Sequence, residues 1–357
     1  MTLTVSATDT ELQKPVNVIF QQTFLRNAQA RAPYFAGTQP ASLTINAGSA
    51  TAKWRRIENM APSTTALSEI TGTASYGMGR SSVAASFTDV TATVSKYGQF
   101  YLVNEEADLF NFSGQMDKLV ETLAIAAGRS ANQLQRDIAE DNLTIIRTGG
   151  VASDGLIDQK IQVADIANAI VTINTNSALT FMPMSIGDER TGTSPILPAY
   201  WGICHPHMAY DISNLAGFKS VETYAGQVET VLGEFGTLGV GGQAVRFIQT
   251  EDASIDADAG ASLGSTGLRG TTSVDLYTCV IYGRDALGSV GLGRQHTDGV
   301  FRAGENFEVF EMLMSQRMAS PGDPFAEMQS LAYKFWWAGA VLNGAWGRSI
   351  RAGATSL

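Results

Sequence analysis

The sequence contains few of the residues that build disulfide frameworks or metal centres. It has 2 cysteines and 3 histidines among 357 residues. Cys204 and Cys279 lie far apart in apolar surroundings, so we expect two buried thiols in a reducing compartment and no disulfide. No apolar run reaches the length of about 18 residues that a transmembrane helix needs. Residues 1–14 lack the charged start and apolar run of a signal peptide, so we expect synthesis in the cytosol.

Positive charge and proline are also scarce. The chain has 24 Lys and Arg against 34 Asp and Glu, which gives a net charge of −10. Tight binding to nucleic acid relies on Lys and Arg that neutralise phosphates, so we do not expect direct binding of this kind. The charge still allows a protein that lives beside nucleic acid without adhering to it. Proline is sparse at 10 residues and glycine abundant at 36, which predicts many turns with unusual backbone angles.

Motifs that carry catalysis or metal binding are missing as well. The glycines between 233 and 242 are not followed by the lysine of a phosphate loop, and no Gly-x-Ser-x-Gly elbow is present. Segment 204–207 has no fourth ligand at a zinc-like spacing, and the acidic loop 251–258 lacks the closing glutamate of a calcium site. We therefore predict no catalytic residue, no cofactor, no metal ligand and no enzymatic activity.

What the sequence does have is one very long helix, predicted over 113–147 and closed by Gly149 and Gly150. About 34 residues at about 1.5 Å each give a rod of about 50 Å. Its apolar side chains recur at intervals of three and four, at Met116, Leu119, Val120, Leu123, Ala127, Ala131, Leu134 and Ile138. The small residues in the middle of this stripe predict that another element lies close against the helix. The alternative is the long helix of an α/β enzyme.

A long β-hairpin is predicted before the helix, with strands over 50–60 and 86–97 around a polar tip. In the second strand Val90, Ala92 and Val94 alternate with polar residues, which is the period of a strand. Two strands alone are marginally stable in water, so we expect this hairpin to rest on a partner surface.

The remaining segments are predicted as an arm and a mixed body. Residues 1–48 carry scattered aromatic anchors, and this arm cannot form its own core, so it packs on the body or on a neighbour. Trp336 and Trp337 are interpreted as core in a C-terminal helix; a ligand pocket is the alternative. The predicted strands are 200–204, 244–250, 274–282 and 307–316, and the further predicted helices are 164–173, 207–215 and 324–342.

This order of elements resembles the Hong Kong-type fold of tailed-bacteriophage major capsid proteins, and more closely their podovirus-type branch. The local resemblance lies in YWGICHPHMAYDI (200–212), GEFGTLGVGGQAVRFIQTEDA (233–253), DLYTCVIYGRDALGSVGLG (275–293) and DPFAEMQSLAYKFWWAGAVLNGAWGRSI (323–350). It implies an α+β fold. The implied divisions are an N-terminal arm (1–48), an extended loop (49–103), a peripheral domain with the spine helix (104–198), an axial domain (199–305) and a return to the peripheral domain (306–357).

The resemblance also implies a structural role. The chain would assemble with itself as hexamers and pentamers into an icosahedral shell around double-stranded DNA, without sequence-specific binding and without a membrane. Portal and scaffold proteins would be partners, and whether a decoration protein binds is left open. The chain would be located in the virion after assembly in the host bacterial cytoplasm. We expect the basic cluster Lys53, Trp54, Arg55 and Arg56 to contact carboxylates of a neighbouring subunit. The alternatives are a bacterial nanocompartment shell of the same fold and a soluble hydrolase.

Overall fold

The computed structural model shows a mixed α+β protein, as predicted. It describes residues 33–41, 50–58, 60, 62, 64, 85–106, 115–181, 197–223, 233–264, 266–292, 311–314, 324–325 and 327–357. The helices are Pro33–Ala36, Gln115–Asn142, Val163–Thr175 and Pro206–Ser213, with short 3₁₀ turns at Thr148–Gly150, Asp154–Leu156, Val221–Thr223 and Gly344–Trp346. None of the helices in these ranges is long and apolar enough to cross a membrane.

The strands are β1 (Gln39–Ala41), β2 (Thr51–Ile57), β3 (Phe87–Thr93), β4 (Ser95–Asn104), β5 (Thr144–Arg147), β6 (Ala199–Cys204), β7 (Phe218–Ser220), β8 (Glu234–Val240), β9 (Gln243–Gln249), β10 (Ile255–Asp256), β11 (Leu276–Tyr282), β12 (Leu287–Leu292), β13 (Glu311–Met314), β14 (Met328–Val341) and β15 (Gly347–Ala352). The helices predicted over 164–173 and 207–215 and the strands predicted over 200–204, 244–250 and 274–282 are therefore present, with ends that differ by one to two residues.

An eight-stranded sheet runs in the order β5-β15-β11-β6-β9-β8-β7, with β10 beside β11. Strand β11, between β15 and β6, is buried along its whole length. Cys279 and Ile281 face the helices Val163–Thr175 and Pro206–Ser213, whereas Val280 and Tyr282 face the end of the long helix. A strand that is covered on both faces has a nearly continuous run of apolar residues, and this run made β11 easy to predict from the sequence.

A five-stranded sheet is built around β14, which pairs with β4 on one side and with β12 and β13 on the other; β1 adds to β12. The long helix lies on one face of this sheet. Ala127 and Ala131 are buried there against Tyr333 and Phe335, so the predicted small-residue contact line is confirmed.

The predicted helix over 324–342 is wrong, because Met328–Val341 form strand β14. Leu331, Tyr333, Phe335 and Trp337 are buried and alternate with less buried residues. Aromatic and β-branched side chains favour strands, and β14 has hydrogen-bonded neighbours on both sides. The prediction treated a dense aromatic segment as a helical face when its period was two. Trp337 belongs to the core as interpreted, while Trp336 is 41% exposed.

The end predicted for the long helix is also wrong. The helix stops at Asn142, and Thr144–Arg147 form β5, which pairs in parallel with β15. The β-branched run from Thr144 to Ile146 favours a strand. Gly149 has φ 73° and Gly150 has φ 68°, so the two glycines serve the turn after β5 and not a helix end. The predicted start at Ser113 lies outside the described residues.

The hairpin strands form a two-stranded ribbon, β2–β3. The second predicted strand divides at the buried Val94, and its continuation β4 leaves the ribbon and joins the five-stranded sheet. Of the predicted arm, the structure describes 33–41. Tyr34 is fully buried against the body, and β1 pairs in parallel with β12, so this part of the arm packs on its own chain.

Candidate inter-subunit contact surface

The ribbon β2–β3 has two chemically different faces, set by the alternation of its side chains. The odd-numbered residues of both strands are exposed and the even-numbered ones are half-buried or buried. The paired outward residues are Thr51 with Thr93, Lys53 with Thr91, Arg55 with Asp89, and Ile57 with Phe87. The basic cluster predicted as a contact site is therefore split between the faces, with Lys53 and Arg55 outside and Trp54 and Arg56 inside.

The inner face fixes the ribbon to the body. Trp54 packs with Ala52, Val290 and Ala338 at the end of the five-stranded sheet. Arg56 donates from Nη1 to the backbone oxygen of Leu342 at 3.0 Å. The Glu58 carboxylate accepts a second hydrogen bond from the Arg56 Nε at 3.0 Å. Trp54 and Arg56 thus act within one chain, and they set the direction in which the outer face points.

The outer face holds one carboxylate between two cations. The Asp89 Oδ1 accepts from Arg55 Nε at 2.9 Å, and Asp89 Oδ2 lies 2.6 Å from Lys53 Nζ. Hydrogen bonds from Arg55 and then Lys53 lower the pKa of Asp89 to about 2, so it stays ionised at neutral pH. Two cations against one carboxylate leave this face with a charge of +1, on a chain whose net charge is −10.

The end of the ribbon nearest its tip is apolar. Ile57 is 67% exposed and its cross-strand partner Phe87 is 55% exposed. The guanidinium of Arg55 lies over the Phe87 ring, 5.8 Å from its centre. A second exposed apolar surface lies on the five-stranded sheet, on the face away from the long helix, where Phe100 is 65% and Leu102 60% exposed. Neighbouring exposed apolar side chains of this kind mark interaction sites.

Sequence reasoning found the basic residues but missed Asp89, Ile57 and Phe87. Asp89 lies opposite Arg55 only in the observed register. The segment between Ile57 and Phe87 is too long for a turn type to set that register. The sequence did contain a signal for the apolar pair. Ile57 and Phe87 stand at positions that the alternation of each strand assigns to the outer face, where apolar residues are unexpected.

The histidines of segment 204–207 pack together and do not form a ligand set. The backbone N–H of His207 donates to His205 Nδ1 at 3.1 Å, and His207 Nδ1 lies 3.0 Å from the Tyr277 hydroxyl. Burial lowers the pKa of His205 to about 4, so its ring is neutral near pH 7. Within the described ranges, no group of three His, Cys, Asp or Glu side chains is arranged to hold a metal ion.

The architecture is similar to those of several solved structures. The capsid of Ralstonia phage GP4 aligns with a TM-score of 0.62 and 10% identity, over 90% of this chain and 88% of that chain. The acidic stable capsid of Helicobacter pylori bacteriophage KHP30 aligns with a TM-score of 0.54 and 10% identity, over 90% and 92%. The cyanophage Pam1 capsid aligns with a TM-score of 0.53 and 10% identity, over 87% and 87%. No protein-family profile and no curated protein sequence matches the chain.

Proposed function

We propose that this chain, which has the Hong Kong-type capsid fold, is a major capsid protein that assembles with itself into an icosahedral shell. The predicted fold is confirmed by the similarity to solved phage capsids, which extends over about nine-tenths of both chains. That agreement over about nine-tenths of the chain is the observation that carries the proposal, because it extends well beyond a single shared core element.

The ribbon is the element that we propose to reach a neighbouring subunit. Its inner face packs against the body of its own chain. Its outer face presents Lys53 and Arg55, whose two positive charges exceed the one negative charge of that face. A neighbour of the same acidic chain offers many carboxylates. Ile57 and Phe87 supply an apolar end, and the exposed Phe100 and Leu102 of a neighbour offer a matching apolar surface. Electrostatic complementarity would set the orientation, and apolar burial would supply affinity.

The finer organisation follows the same proposal. Residues 49–103 are the extended loop, 104–198 and 306–357 the peripheral domain, and 199–305 the axial domain around which hexamers and pentamers close. The shell encloses double-stranded DNA without sequence-specific contacts, and the net charge of −10 supports weak affinity for that cargo. Portal and scaffold proteins are the further partners, and assembly takes place in the host bacterial cytoplasm before the protein becomes part of the virion.

Electron microscopy of the full-length chain, expressed with and without its neighbouring genes, tests the proposal. We expect closed particles with icosahedral symmetry. A chain that stays monomeric by light scattering under both conditions, and binds a small ligand, would favour the soluble hydrolase instead. Particles that enclose an enzyme rather than DNA would identify the nanocompartment alternative.

A further inference from the structure

The end of the long helix meets two other segments in a buried polar junction. The backbone N–H of Tyr34, in the N-terminal segment 33–41, donates to Asn132 Oδ1 at 2.9 Å. Asn132 Nδ2 in turn donates to Asp252 Oδ2 at 3.1 Å, in the loop before β10. Tyr34 and Asn132 are fully buried and Asp252 is 5% exposed. Two hydrogen bonds therefore connect the N-terminal segment, the helix and the loop.

One carboxyl group of this junction is fully compensated. Asp252 Oδ1 accepts from Arg129 Nε at 2.7 Å and from Gln133 Nε2 at 3.2 Å, besides the bond from Asn132 to the other oxygen. A cation and two amide donors offset the cost of burying this carboxyl group. Asp252 thus serves as the fixed anchor of the loop on the helix.

A second carboxyl group in the same junction has an oxygen without a hydrogen-bond partner in the described part of the chain. Glu140 is 7% exposed, and its Oε1 has no hydrogen-bond partner among the residues that the structure describes. The Ser254 hydroxyl approaches the carboxyl group, but Ser254 Oγ completes no hydrogen bond there either. The Tyr34 hydroxyl of the N-terminal segment is also buried and has no hydrogen-bond partner within these ranges, and burial, together with the charge of Glu140, raises its pKa.

The neighbouring charges do not neutralise Glu140. Arg136, one helical turn earlier, donates Nε and Nη2 to Asp137 Oδ1 at 2.9 and 2.6 Å. Its Nη1 donates to the backbone oxygen of Asp252 at 2.5 Å. Asp137 on the helix and Asp256 from β10 both act on Glu140 as like charges. Among the described residues, the cation that acts on this carboxyl group is Arg136, whose donors are engaged elsewhere, and two carboxylates oppose ionisation.

We propose that Glu140 is a proton-binding site that controls how tightly the N-terminal segment 33–41 and the loop before β10 are held on the long helix. With its proton, the side chain fits its buried surroundings. Without it, the side chain carries a negative charge while its Oε1 is buried and has no hydrogen-bond partner among the described residues, and water reaches that oxygen only when the junction opens. Ionisation therefore favours the opened junction. The inference does not rest on the shell-forming role.

The pKa of Glu140 agrees with this arrangement. Burial raises it to about 7, against the opposing effects of Ser254 and Arg136. In the opened junction the group regains the lower pKa of an exposed glutamate. The closed state thus binds the proton more tightly, and the stabilisation from that proton is complete at acidic pH. It is lost as the pH rises through about 7.

Hydrogen exchange of the full-length chain, followed by mass spectrometry between pH 5 and pH 8, tests the proposal. Wild type and Glu140→Gln are compared at each pH, so that the pH dependence of the chemical exchange step cancels. We expect the ratio of wild-type to variant exchange in peptides covering 33–41 and 250–256 to rise by roughly tenfold or more over this range. Peptides from the helix Val163–Thr175 should keep a constant ratio.

Glu121→Gln is the matched control, because Glu121 is exposed on the same helix. Its exchange should equal that of wild type throughout. A ratio for Glu140→Gln that stays flat from pH 5 to pH 8 would overturn the proposal. The infrared spectrum of the wild type gives a second readout that needs no variant. The carbonyl band of a buried protonated carboxyl group should be present at pH 5 and lost by pH 8; its absence at pH 5 would also overturn the proposal.

Discussion

Asp89 lies directly across the ribbon from Arg55, and its carboxylate accepts hydrogen bonds from both Nε and Nη2 of that guanidinium, at 2.9 and 3.3 Å. This contact lies within one chain, whereas the sequence suggested that the cations of the cluster would meet carboxylates of a neighbour. The two roles are compatible, because Lys53 and Arg55 together exceed the charge of Asp89. They can be separated by experiment.

A charge swap distinguishes the internal pairing from the proposed contact between subunits. The triple variant Lys53→Glu, Arg55→Glu, Asp89→Lys keeps opposite charges paired within the ribbon but turns the outer charge from +1 to −1. We expect the folded chain to keep its melting temperature. The yield of particles should fall roughly tenfold, which corresponds to about 1.4 kcal/mol in contact energy.

Lys219→Glu is the control for this swap. Lys219 is exposed on β7, and its substitution changes a charge from +1 to −1 away from the ribbon. Sucrose-gradient sedimentation with electron microscopy measures the particle yield. Normal yield from the triple variant would show that the ribbon's charge does not contribute to assembly.

The apolar end of the ribbon gives a second prediction. Replacing Ile57 and Phe87 with serine should change the free energy of unfolding by less than about 0.5 kcal/mol, because both side chains are mostly exposed. Assembly should nevertheless be weakened, since the contact with a neighbour would lose its apolar part. Leu156→Ser, at a similarly exposed position, is the matched control. Equal particle yields from both variants would exclude a contact at the ribbon end.

The small-residue line of the long helix gives a third prediction. Ala127 is fully buried against β14, so Ala127→Trp must displace the strand or the helix. Overpacking of a core costs about 1–3 kcal/mol and sometimes more. The loss appears as a lower melting temperature or as insoluble chain, and particles fail to form as a result. Thr122→Trp, on the exposed side of the same helix, should behave like the wild type. If Ala127→Trp melted normally, this helix face would not be buried.

The cysteines give a fourth prediction, on reactivity. Cys204 and Cys279 are both fully buried on neighbouring strands β6 and β11, and both are free thiols. Burial raises the pKa of the Cys204 thiol well above its usual value, so almost no thiolate forms at neutral pH. A charged alkylating reagent should leave both thiols unmodified in the native protein and modify both in denaturant, as counted by intact mass. Rapid modification of native protein would place the β6–β11 pair near the surface.

The sequence predicted those parts of the fold in which a local pattern and the tertiary environment agree. The alternation at Val90 and Ala92 predicts a strand because one face of the ribbon packs on the body. The line of small residues through Ala127 is predictable because the buried residues of the long helix recur with the period of the helix itself. Leu331 and Tyr333 were assigned to a helix because a buried strand with partners on both sides carries apolar residues densely. The contacts that the sequence missed depend on the register between distant segments. The pairing of Asp89 with Arg55 and the burial of Tyr34 depend on distant segments, and no local property of these residues encodes such contacts.

The placement of the two last strands has a consequence for the timing of synthesis. Strand β14 is the shared partner of β4, β12 and β13, and β15 fills the position between β5 and β11. Until residues 328–352 have left the ribosome, the five-stranded sheet therefore lacks its central strand and the eight-stranded sheet lacks the strand that joins β5 to β11. Before that point the ribbon and the long helix have been synthesised, but β14, the strand against which both pack, is missing. The native surfaces of the ribbon and of both sheets are therefore complete only after residues 328–352 have been made.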